Sequence, residues 1–177
     1  MNPLDDIHRA LATRTPVTAK KPGSAVAAIL QEGENPQLLF IERARVQGDP
    51  WSGDIAFPGG RVETSDADLR EAAERETREE IGLDLQPDHY LGRLDDLITQ
   101  TLGIEVAAFV YQIEKTHSLQ LNHEVAAAFW QSFSNLTDPT RQLNHTFANR
   151  GFPRHVPAID LLGPNRPLLW GITYRFV

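Results

Sequence analysis

The sequence predicts an α/β fold, and three observations carry that prediction. Residues 67–81 contain neither Pro nor Gly and are bracketed by cap-forming residues, which marks one central helix. Residues 24–31, SAVAAILQ, are apolar enough for a buried strand, and 37–43 follow as its neighbour across a Gly33-Glu34-Asn35-Pro36 turn. Residues 90–98 and 104–113 alternate or run apolar as two more strands around 99–103. A chain of 177 residues is one domain's worth and long enough for a real core.

The helix is also where the chemistry concentrates. Asp66 or Asp68 is placed to cap its start and Gly82 its end. At about 100° per residue, Leu69, Ala72, Ala73, Thr77 and Ile81 form one stripe that should face the core. The same projection sets Glu76, Glu79 and Glu80 on an arc that overlaps the stripe. Like charges so spaced repel, and partial burial adds a desolvation penalty unless a cation sits among them. Hard oxygen ligands suit Mg²⁺ or Mn²⁺. On the helix alone, a solvated surface laced with i,i+4 ion pairs explains the same residues. What shifts the balance is the preceding Phe57-Pro58-Gly59-Gly60, where glycines permit a tight turn and let main-chain groups approach a ligand.

These residues together resemble the Nudix box, G-x5-E-x7-R-E-U-x-E-E-x-G-U with U apolar. Arg75-Glu76-Thr77-Arg78-Glu79-Glu80-Ile81-Gly82-Leu83 matches its second half, with only Thr77 off type. Counted from Gly60, the acidic position falls on Asp66 in place of Glu, and Arg75 arrives one residue late. The resemblance is strongest over 24–83 and weaker to the chain's end. It implies a Nudix α/β/α sandwich with a mixed β-sheet, residues 23–177, preceded by an N-terminal helix and tether over 1–22. That helix has Leu4, Ile7 and Leu11 at helical spacing.

Upstream of the box, the chain is similar to the coenzyme A pyrophosphatase branch, whose pattern reads L-L-T-x-R-S/A-x3-R-x3-G-x3-F-P-G-G. Leu39-Phe40-Ile41-Glu42-Arg43-Ala44 supplies the apolar pair, the first Arg and the small residue, and Gly53 lies four residues before Phe57. The threonine is Ile41, the second Arg is missing near Gly48, and the interval is one residue longer. Arg43 is a candidate phosphate fork and Trp51 a candidate stacking partner for adenine; a strand end in solvent and a core plug are the competing readings.

By resemblance, the metal ligands are Glu76, Glu80, Glu79 and the main-chain carbonyl of Gly59, with Gly60 beside the substrate. Glu79 doubles as the candidate water-activating base, and Arg75 orients a glutamate. Another acid from outside the box is often recruited, and Glu124-Val125-Ala126-Ala127-Ala128-Phe129-Trp130 places it at Glu124, with His123 an alternative base by its chemistry. The same resemblance suggests a strand at Phe129-Trp130, a short helix over 132–136 and the start of a C-terminal helix at 168–176. A hairpin over 143–156 would carry Arg150 and Arg154 as weaker phosphate candidates. Asp95-Asp96, adjacent in a strand, is a poor acid/base dyad because its members point to opposite faces.

The implied reaction is metal-dependent hydrolysis of the pyrophosphate of coenzyme A or its derivatives to 4′-phosphopantetheine and adenosine 3′,5′-bisphosphate. ADP-ribose, a dinucleoside polyphosphate or an oxidised nucleotide stays open as substrate, and so does a non-catalytic nucleotide-binding module. The expected partner is a small-molecule nucleotide, and a homodimer is allowed. A net charge of −7 disfavours nucleic acid as a partner. Without cysteine there is no disulfide framework or thiolate chemistry. No signal pattern or long apolar run is present, so no membrane and a cytoplasmic location are expected. Dinucleotide, P-loop and nucleophile-elbow glycine motifs are absent.

Overall fold

The computed structural model describes residues 3–20, 22–99, 102–114, 118–146 and 155–177. In chain order they form α1 (Pro3–Thr13), β1 (Ser24–Gln31), β2 (Gln37–Arg43), β3 (Ile55–Ala56), β4 (Gly59–Arg61), α2 (Leu69–Ile81), β5 (Tyr90–Arg93), β6 (Leu97–Ile98), β7 (Glu105–Ile113), β8 (Val125–Ser132), α3 (Phe133–Thr137), β9 (Gln142–Thr146), β10 (His155–Ile159), β11 (Leu169–Trp170) and α4 (Gly171–Phe176).

The main sheet is mixed. β1 runs parallel to β7 on one edge, and its other contacts, like those of β2, are antiparallel. β1 and β2 pair only at Leu30–Leu38 and Gln31–Gln37, then diverge. Into the gap comes the segment that carries the glycines: β3 pairs with β2 at Ile41 and Glu42, and β4 pairs with β1 at residues 24–26. β8 covers the far edge of β2, and β9, β10 and β11 make a small second sheet.

Both faces of the sheet are covered, which is why its central strands read as continuous apolar runs. Ala25, Ala27 and Ile29 of β1 and Leu39 and Ile41 of β2 pack with Ala72, Ala73 and Ile81 of α2. Ala28, Leu30, Leu38 and Phe40 point the other way, to Leu4 of α1, Leu136 of α3 and Leu169 of β11, with Tyr174 and Phe176 of α4 against them. The result is the expected α/β/α sandwich.

Local expectations are refined in three places. The stretch 90–98 is two strands, β5 and β6, because pairing with β7 is interrupted at 95–96, after the Leu94 amide donates to the Ala108 carbonyl. There Asp95 and Asp96 accept the Val17 and Ala19 amides at 2.7 and 2.8 Å, so this pair pins the N-terminal tether. The 168–176 segment opens with β11 before α4. Expectations that fell on Arg150 and Arg154 lie outside the described residues.

Candidate active site

The glycine pair is dictated by close packing. Gly59 has φ of 143°, and a Cβ there would stand 2.3 Å from the Ala25 carbonyl oxygen, so only glycine lets β4 lie on β1. A Cβ on Gly60 would stand 2.5 Å from the Glu76 carboxyl carbon. The bare backbone is the cradle into which the Glu76 carboxylate settles. On the opposite side, Phe57 stacks on Phe40 in the core and the Pro58 carbonyl accepts the Ala27 amide, which anchors the turn.

Opposite this turn, α2 presents its glutamates. The helix is capped by the Asp68 side chain, which accepts the Glu71 amide, and by Gly82 in the left-handed conformation. Asp66 has another task. Its carboxylate holds the Arg75 guanidinium through two bonds of 2.8 and 3.1 Å, and the same carboxylate accepts the Glu63 amide. Arg75 thereby stays protonated more firmly than usual, with Asp66 as the main cause, and Asp66 is held below the usual carboxylate range by the same bond. The remaining Arg75 donors reach Glu76 Oε1 and Glu79 Oε2, each at 3.1 Å, and the Arg61 carbonyl.

Glu80 is 2% exposed, which is rare for a carboxylate. It accepts the Gly59 amide at 2.9 Å, yet burial first, and the negative Glu76 and Glu124 nearby, push its carboxyl up to about 7. Burial also raises Glu76, against the pull of Arg75. Thr77, the off-type residue of the box, is fully buried and donates to the Ala73 carbonyl at 2.7 Å, so its hydroxyl leaves no unmet bond in the core.

Glu124 is brought to this cluster from far along the chain. The Gln120 and Asn122 amides donate to the carbonyls of Ile81 and Glu80, and the Ala44 amide donates to the Glu124 carbonyl at 2.7 Å. Its side chain is half exposed, with His123 at 3.9 Å and nearly free in solvent. Arg43 enters from the end of β2, where its charge favours ionised Glu80. One guanidinium nitrogen bonds Asp49 at 3.1 Å, and its Nε is buried without a hydrogen-bond partner. Trp51 is half-buried in the 44–54 loop and, among the described residues, belongs to neither apolar cluster.

Glu76, Glu80, Glu124 and Arg43 therefore share one electrostatic neighbourhood, while Glu79 sits on its rim, half exposed and tied to Arg75. Among the described residues no three acidic or histidine side chains converge tightly enough to enclose an ion. The donor set, all carboxylate oxygen with a buried member that repels its neighbours, fits a hydrated Mg²⁺ or Mn²⁺ that keeps several waters. Sequence reasoning did not single out a second, polar pocket lined by Arg45, Asp54, Arg166 and Trp170. Its contacts span more than a hundred residues and leave no local signature.

Comparison with known proteins matches the NUDIX domain over residues 21–154. The chain belongs to the Nudix family. An uncharacterised Schizosaccharomyces pombe protein, C14C4.10c, is 36% identical over 154 residues, 80% of this chain and 47% of that protein. The human mitochondrial coenzyme A diphosphatase NUDT8 is 30% identical over 140 residues, 78% of this chain and 58% of that protein. This Nudix chain thus spans about half the length of these relatives. In fold it is similar to the MutT/nudix family protein from Enterococcus faecalis, with a TM-score of 0.60 at 14% identity over 99% of this chain and 66% of that one. No helix among the described residues is long and apolar enough to cross a membrane.

Proposed function

We propose that this chain is a metal-dependent pyrophosphohydrolase that splits coenzyme A or a derivative into 4′-phosphopantetheine and adenosine 3′,5′-bisphosphate. The observation that carries the hydrolase reading is the buried Glu80, held against the glycine turn with Glu76 and Glu124 around it. A carboxylate so costly to bury fits a site built for a cation. The coenzyme A part is supported by the upstream pattern around Arg43 and by the human diphosphatase's similarity.

Glu76 and Glu80, with the Gly59 carbonyl, would hold Mg²⁺ or Mn²⁺, which when bound neutralises pyrophosphate charge and acidifies a water. The chain's own residues do the rest. Arg75, fixed by Asp66, positions Glu76 and Glu79. Arg43, whose side chain is partly exposed at the end of β2, offers its guanidinium to a phosphate oxygen. Glu79 or Glu124, both exposed enough to exchange a proton with solvent, accepts the proton from the attacking water. Water oxygen bonds one phosphorus, the bridging P–O bond breaks, and two monophosphates leave.

The test is product analysis with Mg²⁺ or Mn²⁺ on coenzyme A, ADP-ribose, NADH, diadenosine polyphosphates and nucleoside triphosphates, beside the Glu80→Gln protein. Cleavage of coenzyme A to the two monophosphates by the wild type alone is the expected outcome. Preference for another substrate removes the coenzyme A assignment. Equal inertness of both proteins on every substrate removes the hydrolase reading itself.

A further inference from the structure

Arg43 brings a positive charge to the carboxylate cluster, where it favours ionised Glu80, and it arrives already paired. Its Nη2 donates to Asp49 Oδ2 at 3.1 Å, and among the described residues no other hydrogen bond or ion pair holds the guanidinium. Backbone pairing puts the pair at the site as firmly as charge does. Arg43 lies opposite Val125 in the β2–β8 ladder, and the next residue, Ala44, donates its amide to the Glu124 carbonyl at 2.7 Å.

The 44–54 loop is built to deliver the Asp49 carboxylate. Asp49 Oδ1 accepts the Trp51 amide at 2.9 Å, the Asp49 carbonyl accepts the Ser52 amide at 3.2 Å, and Ser52 Oγ accepts the Val46 amide at 2.8 Å. The Arg43 amide donates to the Asp54 carbonyl at 3.0 Å, which closes the loop on the strand it left. One carboxylate oxygen thus holds the turn while the other meets Arg43. Both side chains are partly exposed, at 31% and 20%, so a ligand can reach the pair and salt can screen it.

Arg43 does not need this contact to stay in place. Its Nε is buried, so packing already holds the stem, and beyond it the guanidinium is a rigid plane. What Asp49 adds is charge. A bare Arg at the edge of the site would attract each ligand in proportion to that ligand's negative charge, whereas a paired Arg does so weakly. The sequence inverts a sign at the same place. Counted back from Gly53, the Arg of the R-x3-G interval in the upstream pattern falls on Asp49.

We propose that Asp49 is a specificity-determining residue that acts through Arg43, neutralising it so that the site discriminates against the more highly charged of two otherwise similar diphosphate ligands. A diphosphate esterified at both ends carries one charge fewer than one with a free terminal phosphate, so the pairing favours the diester relative to what a bare Arg43 would select. The inference rests on the pyrophosphohydrolase reading above and deepens it.

Asp49→Asn is nearly isosteric, and its amide oxygen can still accept the Trp51 amide, so the loop is kept while the charge is removed. The test is calorimetric titration of the full chain, with Mg²⁺ present, by the α,β-methylene analogues of ADP and of ADP-ribose, which share a non-hydrolysable bridge and differ by one negative charge. Asp49→Asn should bind the ADP analogue about tenfold, and the ADP-ribose analogue about threefold, more tightly than the wild type does, the scale of removing a unit charge near a solvated ligand. Salt at about 0.5 M should shrink both gains, and Asp49→Glu, which keeps the charge, should stay within about twofold of the wild type. A role in loop structure alone predicts the opposite sign, with both ligands bound more weakly. An Asp49→Asn protein that binds either analogue no more tightly than the wild type, or gains equally on both, overturns the assignment. Hydrolysis of coenzyme A and of the other substrates named above is measured alongside. If none is cleaved while the charge-dependent gain stands, the hydrolase reading falls and Asp49 keeps its role in ligand selection. If coenzyme A is cleaved and the gain is absent, the reading survives and the Asp49 assignment falls.

Discussion

At Gly60 the smallest possible change meets the proposed chemistry directly. An added methyl would sit 2.5–2.7 Å from all three atoms of the Glu76 carboxyl group, with no flexible end of a side chain to yield except that carboxylate. Gly60→Ala should therefore displace Glu76 and lower kcat/KM on the cleaved substrate by about a hundredfold, the loss typical of an ångström-scale misplacement. Stability should fall by only about 1 kcal/mol, because the helix itself need not move. A parallel reading of initial rates and thermal midpoints checks both. Loss of fold without selective loss of rate would refute the cradle. The glycines were legible in the sequence as a place where backbone is approached closely. What approaches Gly60, the carboxylate of Glu76, was not, because the contact joins a strand to a helix whose relative pose no local pattern encodes.

On the scale of one element, α2 separates two neighbouring aspartates into different jobs. Asp68 caps the helix, and Asp66 clamps Arg75 with its carboxylate almost wholly covered. Asp68→Ala should cost about 1 kcal/mol of stability and leave the rate per folded molecule nearly unchanged. Asp66→Asn keeps the shape but weakens the clamp. It should cost on the order of 2 kcal/mol and also lower kcat/KM by about tenfold, since an untethered Arg75 no longer orients Glu76 and Glu79. Urea midpoints and rates on the two variants decide the matter, and equal loss of rate in both would contradict the division. From sequence, either aspartate could have been the cap, since both precede the same apolar stripe. The stripe itself was readable because Ala72, Ala73, Thr77 and Ile81 follow helical period, and all four are buried. The pocket of Arg166 and Trp170 was not, since their partners Glu42 and Asp54 lie 124 and 116 residues away.

Taken as a whole, the molecule closes a sandwich around one carboxyl group that would rather be protonated. The layers follow from apolar runs that strand period divides between two faces, so an α/β fold was legible from β1, β2 and α2, whereas the α/β/α order was implied only by the resemblance to the Nudix box. The pinning of the tether by Asp95 and Asp96 was not legible, since it depends on a break between β5 and β6 that the apolar pattern hides. The buried charge then governs how the fold responds to pH. Glu80 rises from an ordinary value of 4.5 to about 7, so the folded protein holds a proton there that the unfolded chain releases. Its contribution is complete below pH 4.5 and is lost as pH climbs to 7. Metal-free protein should therefore be less stable at pH 7.5 than at pH 5, by up to about 3 kcal/mol. Glu76, also raised, adds to the same slope, whereas the lowered Asp66, Asp95 and Asp138 titrate below this window. Glu80→Gln, which retains an acceptor for the Gly59 amide, should flatten most of the profile. Mg²⁺ should reverse it, stabilising the wild type more at pH 7.5 than at pH 5.5, because the cation takes the place of the departing proton. Thermal midpoints across pH in chelator and in Mg²⁺ test this chain of reasoning. A wild-type profile that is flat without metal would mean that Glu80 is ionised at no penalty, and the central argument for a cation site would fall with it.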